Sequence, residues 1–173
     1  NEKTVMIGGL TISGGLADQG GGISNAGTLT LTACDFRDNR TKDGVDKSDS
    51  SSAFAENAGS GGAIYNEGRL VVNFSSFSSN RTGNGGSASA SAIGPGNISA
   101  NGGDGGRGGA IYNSAGSLVV RNSTFSNNRA GDGGTAGAFT SVLNAFAFAR
   151  GGDGGQGGAI YNLSSLSIAN TTI

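Results

Sequence analysis

Apolar and polar residues alternate along this chain in short bursts separated by glycine, serine and asparagine. In Ala-Ile-Tyr-Asn (63–66), Leu-Val-Val (70–72) and Ser-Ser-Phe-Ser-Ser-Asn (75–80) each burst predicts a short strand with one buried face. The same triplet of bursts returns at 20–40, 61–81, 108–129 and 157–173, anchored by Ile23, Ile64, Ile111 and Ile160 at intervals of 41, 47 and 49 residues. From each anchor to Phe36, Phe77, Phe125 or Ile173 the separation is 13, 13, 14 and 13 residues. A nearly constant repeat joined by connectors of varying length (41–60, 82–107 and 130–156) predicts a stack of repeats with insertions on one side.

Three strands and three corners in the 21 residues of segment 61–81 predict one coil of an all-β, right-handed, single-stranded parallel β-helix. Stacking such coils lines up equivalent side chains. Ile23/Ile64/Ile111/Ile160 and Leu29/Leu70/Leu118/Leu166 are expected as two interior ladders, and Phe36/Phe77/Phe125 with Ile173 as a third. Asn25, Asn66, Asn113 and Asn162 are expected to stack at a corner, where asparagine tolerates left-handed backbone and its amide can bond to its own copies. Residues 5–16 read as a preceding coil, with Leu10 and Ile12 in alternation. The whole of 1–173 reads as one β-helix segment, either part of a longer chain or a subunit whose copies stack.

The paired motifs Gly-Gly-Ala-Ile and Phe-x-x-Asn carry a resemblance. They stand at 61–64 with 77–80 and at 108–111 with 125–128, with a third Gly-Gly-Ala-Ile at 157–160 and a Phe-x-x-Asn at 36–39. In this the chain resembles the chlamydial polymorphic outer membrane proteins and related bacterial β-helix surface proteins. The match covers about half the chain. It implies the passenger region of a secreted or autotransported adhesin, and it does not imply an enzyme. The long Gly/Ala/Ser insertions and the lack of a membrane-barrel segment depart from the family pattern.

Composition sharpens the insertions more than the repeats. Glycine supplies 35 of 173 residues, yet a single proline excludes a collagen-type triple helix. Two insertions end in Gly-Gly-Asp-Gly-Gly-Arg-Gly-Gly (102–109) and Gly-Gly-Asp-Gly-Gly-Gln-Gly-Gly (151–158). A three-residue screw puts Asp104 with Arg107, and Asp153 with Gln156, on one face and leaves two bare glycine faces. Such a segment is either a flexible linker or an extended strand packed closely against another backbone. Upstream, Ser-Ala-Ser-Ala-Ser-Ala-Ile (87–93) and 140–150 suggest an added strand. There Phe146 and Phe148 share a face opposite Phe139 and Leu143, to fill a lateral cavity of their own subunit or to contact another. Whether the insertions complete an extra coil stays open.

Charge and titratable residues narrow the chemistry. With 11 basic and 12 acidic residues and no basic patch, nucleic acid is not an expected partner, and no apolar run is long enough for a transmembrane helix. The lack of histidine excludes a Ser-His-Asp triad and the common zinc sites. Cys34 stands where other repeats have Ser75 and Ser123, which marks a small structural residue. The carboxylates scatter through loops, so a pectate-lyase-like or glycosidase site could form only by chance stacking of loops, and a polysaccharide-binding or -degrading β-helix is the third alternative. Asp43, Asp46 and Asp49, at i, i+3 spacing, are weak candidates for Ca²⁺, against a solvated acidic loop. Asn-x-Ser/Thr triplets at Asn39, Asn73, Asn80, Asn97, Asn122, Asn162 and Asn170 are possible glycosylation sites, several at coil corners. No cofactor is expected. The reading is a non-catalytic extracellular or cell-surface rod, stalk or adhesin, with a stacking filament subunit as the close alternative. Its partners are expected to be its own copies, end to end or lateral, or a surface ligand that includes glycans.

Overall fold

A computed structural model describes residues 3–143 and 145–173. Its first layer holds β1 (Thr4–Gly8), β2 (Thr11–Ser13) and β3 (Leu16–Ala17). The second holds β4 (Ile23–Asn25), β5 (Thr28–Thr32), β6 (Asp35–Arg37) and β7 (Arg40–Thr41), then leaves on an excursion with β8 (Lys47–Asp49) and β9 (Ser52–Phe54). The third holds β10 (Ile64–Asn66), β11 (Arg69–Asn73) and β12 (Ser76–Ser78), with β13 (Ala88–Ala92) and β14 (Ile98–Asn101) on its excursion. The fourth holds β15 (Ile111–Asn113), β16 (Ser117–Arg121) and β17 (Thr124–Ser126), with β18 (Ala136–Thr140) and β19 (Ala147–Arg150). The fifth holds β20 (Ile160–Asn162) and β21 (Ser165–Ala169).

Every pairing between these strands is parallel, and each sheet collects one strand from successive layers, an arrangement consistent with a parallel β-helix. The main sheet runs β1-β5-β11-β16-β21, flanked by β4-β10-β15-β20 and β2-β6-β12-β17. The excursions add β8-β13-β18 and β9-β14-β19.

The registers place like on like. Ile23, Ile64, Ile111 and Ile160 are successive partners, as are Leu29, Leu70, Leu118 and Leu166. Phe36, Phe77 and Phe125 stack with centroids 4.8 and 4.6 Å apart and planes within 5° and 2°. The Thr124–Thr172 bridge brings Ile173 to the Phe125 level. The ladders of the second to fourth layers form one apolar core with Leu31, Val72 and Val120, in which Ile64, Leu70 and Phe77 are wholly shut off from solvent, while Leu166 and Ile173 in the fifth layer are exposed. In the first layer Val5, Ile7 and Ile12 take the core register. Leu10, expected in a strand, falls in the gap before β2 at the Cys34 corner position and is exposed, although Cys34 itself is buried.

Two buried amide ladders run beside the apolar ones. Asn25, Asn66 and Asn113 each donate a side-chain N–H to Oδ1 of the next asparagine, up to Asn162, at 2.6 Å in all three steps. Their backbone is that of a strand. The left-handed positions lie instead at Ala33, Phe74, Asn122 and Asn170 and at Asp38, Ser79 and Asn127, so the expectation of left-handed asparagines applied to the wrong corner. What the expected column supplies is amide stacking alone. A second amide ladder is made by the closing asparagine of each Phe-x-x-Asn: Asn39 Nδ2 donates to Asn80 Oδ1 and Asn80 Nδ2 to Asn128 Oδ1, each at 3.0 Å. Gly20, Gly61, Gly108 and Gly157 all have φ between 59° and 71°, the tight corner that admits the chain to Ile-Tyr-Asn. Cys34 is buried, and its N–H donates to Ser75 Oγ just as that of Ser75 does to Ser123 Oγ, which fits the small structural residue expected there.

Candidate functional site

The insertions are ordered arms stacked in register, each with an outgoing segment, two short strands and a returning segment. The glycine-rich segments form a raft rather than a linker. Residues 102–108 show why. The N–H groups of Gly102, Gly105 and Gly108 donate to the carbonyls of Arg150, Asp153 and Gln156 in the next arm. Those of Gly103 and Gly106 donate across their own arm to Gly86 and Gly83. Those of Asp104 and Arg107 donate to side-chain oxygens of Asn57 and Ser60 in the preceding arm. Each amide thus points 120° from the last, as a three-fold screw requires, and every one is satisfied. The raft continues upward, since Gly131 and Gly134 donate to Gly106 and Gly103, and Gly155 and Gly152 to Gly131 and Gly134. A Cβ on Gly103 would overlap the Glu56 carbonyl oxygen and one on Gly105 the Gly131 carbonyl oxygen, which explains glycine on both inner faces of the screw.

The third face carries side chains, and these also stack. Asp43 Oδ1 accepts the N–H of Asn84, and Asn84 Oδ1 that of Asp132, at 2.8 and 3.0 Å. On the returning side Asn57 serves Asp104, and Asp104 serves Asp153. Thr41 and Thr82 bridge the two sides. Each hydroxyl donates to a glycine carbonyl, Gly59 or Gly106, and accepts the N–H of Gly83 or Gly131.

This arrangement bears on the Ca²⁺ candidates. Asp43 takes Arg40 and the Asn84 amide, Asp46 the Ser87 amide at 2.7 Å, and Asp49 the Ser51 amide at 2.9 Å. Three carboxylates with three separate backbone partners are not turned to a common centre, and no group of three or more acidic or sulfur ligands forms among the described residues. Burial alone would push the Asp43 carboxyl up, but the Asn84 amide and the Arg40 and Arg81 guanidiniums outweigh it and hold the group below its ordinary value. Asp49 is also lowered, chiefly by the amides of Ser51 and Ser52.

Beyond the raft the arm strands face one another across a second core of Ala53, Ala88, Ala90, Ile98 and Ala100. That core is built almost entirely of alanine, and no aromatic ring belongs to it. Phe139, Phe146 and Phe148 consequently stand 70%, 64% and 59% exposed, with Leu143 and Ile93 beside the turns more exposed still. The expectation that they fill a cavity of their own chain is thereby corrected. Phe146 and Phe148 do share a face, with centroids 6.3 Å apart.

Beside the returning run Tyr65, Tyr112 and Tyr161 stack at 5.3 and 5.5 Å, with Arg107 5.4 Å over the Tyr161 ring. Burial raises the Tyr112 phenol above its ordinary value, helped by Tyr65 and opposed by Arg107. Of the glycosylation candidates, Asn97, Asn122 and Asn170 are exposed and Asn73 and Asn162 half-buried. Asn39 and Asn80 are wholly buried with their amide nitrogens engaged, so the folded chain cannot carry glycans there.

The stacked outgoing glycines were the main feature missed from the sequence. Gly83-Asn84-Gly85-Gly86 and Gly131-Asp132-Gly133-Gly134 repeat the Gly-Asx-Gly-Gly pattern of the returning runs, and that match was the available signal. No family model matches the chain, and neither a curated protein nor a solved structure matches it at a significant level.

Proposed function

We propose that the stack is a right-handed parallel β-helix and that the chain is a non-catalytic, adhesive rod of an extracellular surface protein. The observation that carries this reading is the position of Phe139, Phe146 and Phe148. They are held in solvent on strands fixed in register by the glycine raft, where a protein without a partner surface would bury or replace them. The stacked layers supply stiffness, the raft carries that stiffness sideways, and the arm tips present an apolar contact surface. The exposed Asn-x-Ser/Thr sites and the resemblance to β-helix surface proteins support a cell-surface location. Beads coated with the chain are expected to adhere to cell or polymer surfaces. The triple change Phe139→Ser, Phe146→Ser, Phe148→Ser should abolish adhesion while the circular dichroism spectrum stays unchanged. Undiminished adhesion by that variant would sink the adhesive role.

A second reading, assembly by stacking, is favoured by the fifth layer. Leu166 and Ile168 are 39% and 41% exposed there, whereas their partners Leu118 and Val120 are buried. Sedimentation across rising protein concentration tests it, because stacking copies grow in mass and a single rod does not.

A further inference from the structure

Arg40, Arg81 and Arg129 follow one another in consecutive layers, joined by parallel bridges through their backbones. Neighbouring layers of a parallel stack lie about 4.8 Å apart, so three like charges are held in a short column. Two of them carry their own counter-ion three residues on: Arg40 pairs with Asp43 and Arg129 with Asp132. The middle layer breaks the pattern. Asn84 occupies the counter-ion position, its Oδ1 is taken by the Asp132 amide, and Arg81 forms no ion pair among the described residues.

Between these side chains lies a polar cavity of about 50 Å³, lined by Arg40, Asp43, Arg81, Thr82, Asn84 and Arg129 with Ala130. Its wall has a surplus of donors. Arg40 Nε is buried and has no acceptor among the described residues, the single buried side-chain polar atom in that state. The Thr82 hydroxyl is committed to the raft and the Asp43 carboxylate is engaged by Arg40 and Asn84, so three guanidiniums face a single carboxylate in this lining. An N–H shut away from water without an acceptor is costly, and a guanidinium in a small polar recess favours an anion over water.

We propose that this recess binds one oxyanion group, a sulfate, phosphate or carboxylate, held by Arg81 and Arg129 with Arg40 Nε as the third donor. The group is either a free ion or a substituent of an acidic polymer lying along the column. This goes beyond the adhesive reading and uses a different face of the chain, so either can fail alone.

The test is calorimetric titration with inorganic sulfate at ionic strength matched by chloride, and in parallel with dextran sulfate. Saturable binding to sulfate is expected. Arg81→Gln should weaken it about tenfold or more, as for loss of a charge-assisted contact. Asn84→Asp keeps all three arginines, restores the pattern of the neighbouring layers and is expected to fold normally, yet it should abolish binding by supplying the missing carboxylate. Arg121→Gln, on β16 away from the recess, should change nothing. Dextran sulfate binding much more tightly per sulfate group, and still lost in Asn84→Asp, identifies a polymer as the source. Equal affinity per group identifies the free ion. No saturable binding to either probe, or binding that survives Asn84→Asp unchanged, means that the recess holds water alone and overturns the proposal.

Discussion

The side-chain nitrogen of Asn66 donates to Asn113 Oδ1 at 2.6 Å, and both side chains are completely buried. The Asn66 oxygen in turn accepts from Asn25, and its nitrogen also reaches the Gly68 carbonyl, so one amide ties three layers together. Asn66→Ala leaves Asn113 Oδ1 without that donor, while Asn25 keeps weaker contacts to Gly27 and Arg69. The expected loss is roughly 2–3 kcal/mol, the cost of an orphaned buried acceptor plus a broken network. Urea unfolding followed by circular dichroism measures it. A loss under about 0.5 kcal/mol, typical of a surface site, would show that the ladder adds little.

The repeats could be read from sequence because each layer solves the same packing problem with the same residues. Ile, Leu and Phe at fixed offsets meet their own copies, so alignment of the sequence with itself already is the register. The arms could not be read in that way. Their strands pair Lys47 with Ala88 and Ala136, or Ser52 with Ser99 and Phe148, and the side chains they do share, such as the Ala53, Ala100 and Ala149 column, are too small and common in this chain to announce the alignment. Glycine hides its partners further, since its contacts are all backbone and a flexible run and a packed raft look alike in composition. The buried state of Asn39 and Asn80 was equally hidden, because a polar residue at a corner is exposed unless its copies above and below satisfy it.

Gly103 and Gly154 separate these two kinds of glycine. A Cβ at Gly103 meets the Glu56 carbonyl, while one at Gly154 meets nothing within 4 Å. Gly103→Ala is expected to cost about 1–3 kcal/mol, as overpacking against an unyielding backbone does, and Gly154→Ala to be neutral or slightly stabilising. Amide hydrogen exchange should localise the damage, with Gly105, Gly106 and Gly134 losing protection and Ile64, Leu70 and Phe77 keeping theirs. Equal behaviour of the two variants would mean that the raft is loose in solution.

Acid should loosen the arms through Asp43. Its carboxyl is held below the ordinary value of 3.8, so the ionised form is favoured by folding. That contribution is present above 3.8 and disappears as pH falls through the lower folded value. Asp43→Asn retains an oxygen for the Asn84 amide and removes the charge facing Arg40 and Arg81. The variant should be less stable than the parent chain at pH 7, and the gap should close as the pH falls below the ordinary carboxylate value. Denaturation midpoints at several pH values give the comparison, and a gap that persists in strong acid would assign the effect to shape instead of charge.

Base should act at the tyrosine column. The Tyr112 phenol lies above its ordinary value of 10.0, first because burial disfavours the phenolate, next because Tyr65 stacks beside it, with Arg107 pulling the other way. A raised value means that folding favours the protonated phenol. The preference is complete below 10.0 and lost as pH climbs through the folded value. Ultraviolet titration of phenolate formation in the folded chain should therefore show one tyrosine ionising late. Tyr112→Phe should remove that late step. Arg107→Gln should delay it further, because the cation that stabilises the phenolate is gone while the stacked rings remain. If Arg107→Gln instead brings Tyr112 back to the ordinary value, the guanidinium is packing the column closed, and burial depends on that arginine rather than on the stack.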